Sequence, residues 1–231
     1  MQAVKVLSNQ ERWYGKGLRH RMEPYMDYIY RDSSMETNQL NQFDYVDTLG
    51  DEDRVKMGVL NILQTKRNDR VSRFIDLDLY TYYFVEQNDS ADDFDSLFLN
   101  ARMPLTPRTM VDVDGQLDWN DGGIPLLDTR FSYRKNSDLT VSLEHLYRGA
   151  QDESLWTPRF DLYPEGRFSL FGYARYEDKD NDLEEIALGG YVNWCCMRYG
   201  LGYHVYDGNE HSIMLSIGLS AFPEASISSG F

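Results

Sequence analysis

Apolar and polar residues alternate along most of this chain with a period of two. Within residues 19–31, His20, Met22, Pro24, Met26, Tyr28 and Tyr30 share one side, and Arg19, Arg21, Glu23, Tyr25, Asp27 and Arg31 share the other. Within 108–119, Val111, Val113, Leu117 and Trp119 oppose Asp112, Asp114, Gln116 and Asp118. Leu127, Thr129, Phe131 and Tyr133 likewise oppose Asp128, Arg130, Ser132 and Arg134, and Leu139, Val141, Leu143 and Tyr147 oppose Thr140, Ser142 and Glu144. Near the C-terminus, Ile213, Leu215, Ile217 and Leu219 face away from Ser212, Ser216, Gly218 and Ser220. Successive side chains of a strand point to opposite faces, so this spacing predicts two-faced β-strands and not helices.

About twelve such strands are expected, near 19–31, 54–66, 72–87, 94–103, 108–119, 126–134, 139–148, 156–163, 167–177, 183–192, 196–206 and 211–222. At roughly 9–12 residues they are longer than ordinary globular strands and match a tilted bilayer crossing. The connectors alternate in character. "RNDRV", "PLTP", "KNSD", "YPEG" and the stretch around Asn193 read as tight turns, while 32–53, 88–93, 120–125 and 149–155 read as mostly longer, acidic loops. Short turns at one end and long loops at the other are the build of an outer-membrane barrel, with the short turns on the periplasmic side. The fold expected is an all-β, antiparallel transmembrane β-barrel, or part of a larger one.

Composition sharpens this. The net charge of -15 leaves no basic face to neutralise phosphates, which argues against nucleic acid as a partner. No run of about 18 apolar residues is present, which excludes a membrane-spanning helix but not a barrel, whose strands are short and half apolar. Mid-strand charges such as Asp76, Asp78, Arg130 and Glu144 all fall on the polar side. Because Lys or Arg at mid-bilayer costs about 2–4 kcal/mol, a lipid-facing stripe must stay clean while a wet lumen need not. A soluble β-sandwich also alternates polar and apolar faces, and it stays open at this point. The opening residues, "MQAVKVLSNQ", lack the features of a secretory signal, so either the protein is cytosolic or its front end lies elsewhere.

Few motifs carry chemistry. Asp178, Asp180 and Asp182 have calcium-loop spacing, but Leu183 stands where the loop needs glycine. "GLGYHV" has no third glycine for a nucleotide loop, and His20, His145, His204 and His211 show no metal-ligand spacing. No G-x-S-x-G elbow occurs. Neither a cofactor nor a metal is expected. The chain has two cysteines, side by side at Cys195 and Cys196. Adjacent thiols strain any bond between them, so they are either free or bonded elsewhere.

Three stretches carry a resemblance: "LRHRMEPYMDYIYR", "FDYVDTLGDEDRVKMGVLNILQTKR" and the vicinal cysteines one hairpin before the expected final strand. In order and spacing they resemble the C-terminal part of the barrel of the LPS-assembly outer-membrane protein family, LptD (OstA/Imp). The resemblance implies a non-enzymatic component of a translocon in the cell outer membrane of a Gram-negative bacterium. Lipopolysaccharide would pass through a barrel lumen and a lateral gate into the outer leaflet. Implied partners are an LptE-like lipoprotein plug, an LptA-like periplasmic bridge and the barrel-assembly machinery. Residues 1–231 would form the C-terminal barrel segment, without the periplasmic jelly-roll domain, signal peptide and early strands of the family.

The resemblance also implies that Cys195 and Cys196 form disulfides with cysteines of that missing N-terminal domain. The expected lumen-facing polar set is Arg19, Arg21, Glu23, Asp27, Asp76, Asp78, Asp112, Asp114, Arg130 and Arg134. Ile213, Leu215, Ile217, Gly218, Leu219 and Phe222 would form one side of the exit seam and the terminal-strand signal read by the assembly machinery, with Phe231 a second candidate for that signal. Rival functions are another outer-membrane barrel, porin-like or a phospholipase, and a soluble acidic β-sandwich that binds carbohydrate.

Overall fold

The computed structural model describes residues 3–12, 15–31, 52–67, 69–85, 93–120, 122–207, 210–219 and 222–230. They form fourteen strands: β1 (Ala3–Arg12), β2 (Gly15–Arg31), β3 (Glu52–Arg67), β4 (Arg70–Phe84), β5 (Leu97–Thr106), β6 (Thr109–Asp118), β7 (Gly123–Arg134), β8 (Leu139–Arg148), β9 (Glu153–Leu162), β10 (Phe168–Glu177), β11 (Asp182–Trp194), β12 (Met197–Tyr206), β13 (Glu210–Leu219) and β14 (Phe222–Gly230). The protein is all-β and antiparallel, and the strands neighbour one another in chain order, with β1 and β14 at the two ends of that order. The chain divides into two compact units. The first comprises Met1–Asn100 with Gln116–Gly123, and the second Ala101–Gly115 with Ile124–Phe231.

The count corrects the expectation of about twelve strands. Two were missed, β1 and β14, and the second matters more. The expected final strand is β13, and β14 pairs along it from Met214↔Gly230 to Leu219↔Phe222. A strand left at an edge offers a row of unpaired N–H and C=O groups, and β14 takes up those of β13. The seam residues Ile213, Leu215, Ile217, Gly218 and Leu219 therefore lie on a strand paired on both sides, by β12 and β14. Phe222 opens β14, and Phe231 lies outside the described residues.

The expected contrast between short turns and long loops also narrows. Connections at 107–108 and 195–196 are two residues long, yet the supposedly short turn at 163–167 exceeds the supposedly long ones at 119–122 and 149–152. The expected loops 32–53 and 88–93 fall almost wholly outside the described residues. Several turns use the left-handed region, at Asp69, Asp152 and Asn181, residue types that tolerate it, and also at Tyr163 and Cys195.

Register confirms the two faces. In the first unit the pairs Met22↔Asn61, Pro24↔Val59, Met26↔Met57 and Tyr28↔Val55 put one set of side chains together, and Arg21↔Ile62, Glu23↔Leu60 and Asp27↔Lys56 put the other set opposite. In the second unit Phe131↔Leu143, Leu143↔Pro158, Leu188↔Tyr203 and Leu201↔Leu215 share the apolar face. The polar face holds Arg130↔Glu144, Ser142↔Arg159 and Arg175↔Glu185. From β7 to β13 the paired positions of the apolar face carry no Asp, Glu, Lys or Arg. Glu184, at the bulge in β11, turns its carboxylate to Glu153 and Glu177 on the other side.

The apolar face is not packed. Ile213, Leu215 and Phe131 are 50%, 49% and 44% exposed, and Val111 is half-buried. Among the described residues the buried apolar side chains are Ile62, Phe74, Ala101, Leu155, Phe171 and Ala187, a small core for a chain of this length. Four of them, Ile62, Leu155, Phe171 and Ala187, lie on the polar face, beneath charged and aromatic neighbours.

Candidate functional site

In the first unit the polar face is built from aromatics and cations. Gly58 of β3 has no side chain, and the Tyr25 ring fills that space: a Cβ at Gly58 would stand 2.5 Å from the ring. This close approach carries the Tyr25 hydroxyl across β3 to Asp78 of β4, where it donates to both carboxylate oxygens at 3.0 and 2.9 Å. Lys56 sits 3.7 Å over the Tyr80 ring and Arg54 3.9 Å over Tyr82. Phe98 stacks on Tyr80 at 5.1 Å. A cation over an aromatic face is attracted by the ring quadrupole.

In the second unit the polar face is built from ion pairs. Arg130 grips Glu144 through two nitrogens, with Nε to Oε2 at 2.7 Å. Arg159 clasps Asp161 in a fork at 2.9 and 2.7 Å, the geometry that makes arginine–carboxylate pairs specific. Between them lies a hollow of about 540 Å³, walled by Arg130, Arg159 and Arg175 and floored by hydroxyls such as Ser132, Ser142 and Thr157. Beside it Glu185 accepts two hydrogen bonds and faces one cation. His204 Nδ1 donates at 2.8 Å, the Tyr173 hydroxyl at 2.9 Å, and Arg175 Nη1 lies 3.4 Å away. Glu185 and His204 are both buried, and the small Ala187 and Gly202 leave them room. A hydroxyl floor with paired charges at its rim offers hydrogen bonds to a hydrated glycan without a net charge to trap it.

Every residue of the expected polar set falls on the polar face, but in separate groups. Arg21 pairs with Glu23 along β2 at 2.9 Å, Asp76 with Arg73 at 3.3 Å, and Asp78 with Tyr25. Asp112 faces Arg102 at 3.6 Å, and Arg134 reaches Glu165 of the next turn at 3.4 Å. Arg19, Asp27 and Asp114 are exposed. The Glu185–His204–Tyr173 knot escaped the sequence, since its members lie on three strands and only the register of β10, β11 and β12 unites them. Gly200 and Gly202 of "GLGYHV" leave room on the polar face for the rings of Tyr191 and His204.

Cys195 and Cys196 form the two-residue tip between β11 and β12, closed by the pair Trp194↔Met197. Both thiols are free and exposed. The four histidines keep separate company: His20 donates to Asn61 Oδ1, His145 stacks on Trp156, His204 binds Glu185, and His211 lies 2.7 Å from the Tyr203 hydroxyl. No family model matches this sequence, and no curated protein matches it.

Proposed function

We propose that this chain is the C-terminal barrel segment of an LptD-like outer-membrane translocon, and that it helps carry lipopolysaccharide to the cell surface. One observation carries the proposal: the exposed apolar face of β7–β13 is free of Asp, Glu, Lys and Arg, while the opposite face is lined with ion pairs and hydroxyls. In water, such a face would leave far more apolar surface bare than a monomer tolerates. Against acyl chains it costs nothing, and the charges opposite it suit a wet interior.

Ten residues at about 3.3 Å each, tilted by about 45°, span roughly the 25 Å apolar band of an outer membrane. Moving an amphiphile past this wall makes and breaks no bond. The hydroxyl-floored hollow between Arg130 and Arg159 supplies hydrogen bonds for the saccharide, and a seam at the outer edge of β14, in place of β13, lets the acyl chains out. Cys195 and Cys196 are free and exposed at a hairpin tip, and in this reading they bond cysteines of another domain. In this reading that end meets the periplasm, where the LptA-like bridge arrives.

Fractionation of cells making the full chain tests the membrane reading. Recovery in a detergent-extracted outer-membrane fraction is expected, and a monodisperse product in plain buffer overturns it in favour of a soluble sandwich. A photo-crosslinking residue at Ser142 or Thr157 tests the cargo. Capture of lipopolysaccharide is expected; membrane insertion without capture points to a porin-like barrel instead.

A further inference from the structure

The apolar face of β10–β12 is not smooth. Gly190 lies in register between Leu170 and Leu201, so three neighbouring strands there present side chain, backbone, side chain. The result is a trough of about 440 Å³, walled by Phe168, Leu170, Leu188, Leu201 and Tyr203. A Cβ at Gly190 would come within 2.9 Å of Leu170 Cδ2, so only glycine leaves the floor open without moving a wall.

One end of the trough carries a cation. The guanidinium of Arg167 lies 5.6 Å from the Phe168 ring centroid and 5.0 Å from that of Trp194. Arg130, Arg134, Arg148, Arg159 and Arg175 of the same unit all hold carboxylates. Arg167 has no carboxylate partner among the described residues. Its turn is pinned to β11, where Asn193 donates its backbone N–H to the Arg167 carbonyl and its side-chain amide to the Gly166 carbonyl, both at 2.8 Å. An apolar slot with a fixed, carboxylate-free cation at its mouth, beside an exposed tryptophan, matches a molecule with a hydrocarbon tail and an anionic head. Tryptophan and arginine are the residues that settle at headgroup depth.

We propose that this trough is a phospholipid site: one acyl chain lies over Gly190 between Leu170 and Leu201, and the phosphodiester rests on Arg167. The site rests on the membrane reading of this face. By the position of Arg167 beside the 195–196 tip, the lipid belongs to the leaflet at that end of the strands. Bound there, it fills the dip that the glycine leaves in the hydrocarbon-facing surface.

The test uses the full chain purified from membranes in detergent, stripped of lipid, and titrated with dioleoyl phosphatidylglycerol under native mass spectrometry. Retention of one lipid per chain is expected, after detergent has been removed in the gas phase. Arg167→Glu, which reverses the head contact, and Leu201→Trp, which fills the slot, each lower the apparent affinity about tenfold. Both positions are exposed, so neither substitution disturbs the sheet. Equal retention by wild type and both variants overturns the site, as does displacement of the lipid by inorganic phosphate alone. Failure to recover the chain from membranes overturns the membrane reading and this site with it; recovery with unchanged retention overturns the site alone.

Discussion

Strands β2–β4 and strands β7–β13 follow the same alternation but keep it to different standards. The apolar face of β7–β13 carries no Asp, Glu, Lys or Arg, though it holds His145 and His211, whereas that of β2–β4 carries Asp53 along with His20 and Asn61. Two of these intruders satisfy each other: His20 donates to Asn61 Oδ1 at 3.1 Å, and Asn61 Nδ2 donates to the Val59 carbonyl at 3.2 Å. The early strands are also longer, at 17, 16 and 15 residues against 10 for most of the later ones. On the membrane reading, strands of that length would rise well past a hydrocarbon band of about 25 Å, so Asp53 near the end of β3 could meet water, while His20 and Asn61 lie within their strands and hold each other. The polar faces share both devices but differ in emphasis: Lys56 and Arg54 lie over rings in the first unit, and Arg130 and Arg159 grip carboxylates in the second. On the membrane reading, a charge on this face would be tolerated only where a strand outreaches the layer it crosses.

Substitutions can break this contrast. The largest effect is expected at Glu185, because Glu185→Ala strands His204, Tyr173 and Arg175 around a buried gap, and loss of one partner of a buried pair costs about 3–5 kcal/mol. Urea unfolding in detergent or lipid vesicles measures it, and Glu185→Gln should recover part of the loss through hydrogen bonding. Next comes Leu215→Arg on the clean face, expected to cost about 2–4 kcal/mol in a bilayer, while Tyr30→Arg at the end of β2 costs about 0–1. Equal costs at the two sites would erase the distinction between the units.

Smaller effects sharpen it. Asn61→Leu leaves His20 without its acceptor and is expected to cost about 1–2 kcal/mol, and adding His20→Phe should return most of that, since the pair then leaves together. The gentlest test lies in the β3–β4 turn. Lys66 Nζ, 2.8 Å from Asp69, holds that carboxyl below the ordinary aspartate value through its hydrogen bond and its charge. A depressed carboxyl lends stability above its unfolded pKa and loses it as pH falls through the folded value. Since Asp69 is fully exposed, Lys66→Ala should move its titration upward by NMR and leave stability unchanged within error.

The sequence made the faces legible because period two survives any register that keeps polar with polar. It hid β1, whose Val4 and Val6 start an alternation that bulges then interrupt near Ser8 and Glu11. It hid β14 because "FPEASISSG" has a proline at its second position and holds few large apolar residues; the neighbouring edge of β13 supplies what propensity does not. The polar lining was legible as a list of charges but not as a network. Arg130 could be named from its own strand, yet its partner Glu144 depends on how β7 and β8 align. Tyr25 looked like one more polar-face residue, and nothing local revealed that Gly58 would let it reach Asp78.

Were Cys195 and Cys196 both bonded to another domain, as proposed, the hairpin tip they form would act mechanically. A single covalent tie to another domain leaves a pivot, about which the tethered body can still swing and roll. Two ties at consecutive positions, each rooted in a strand that leads directly into the wall, remove the roll and fix a heading. Anything fastened there would be aimed as well as held.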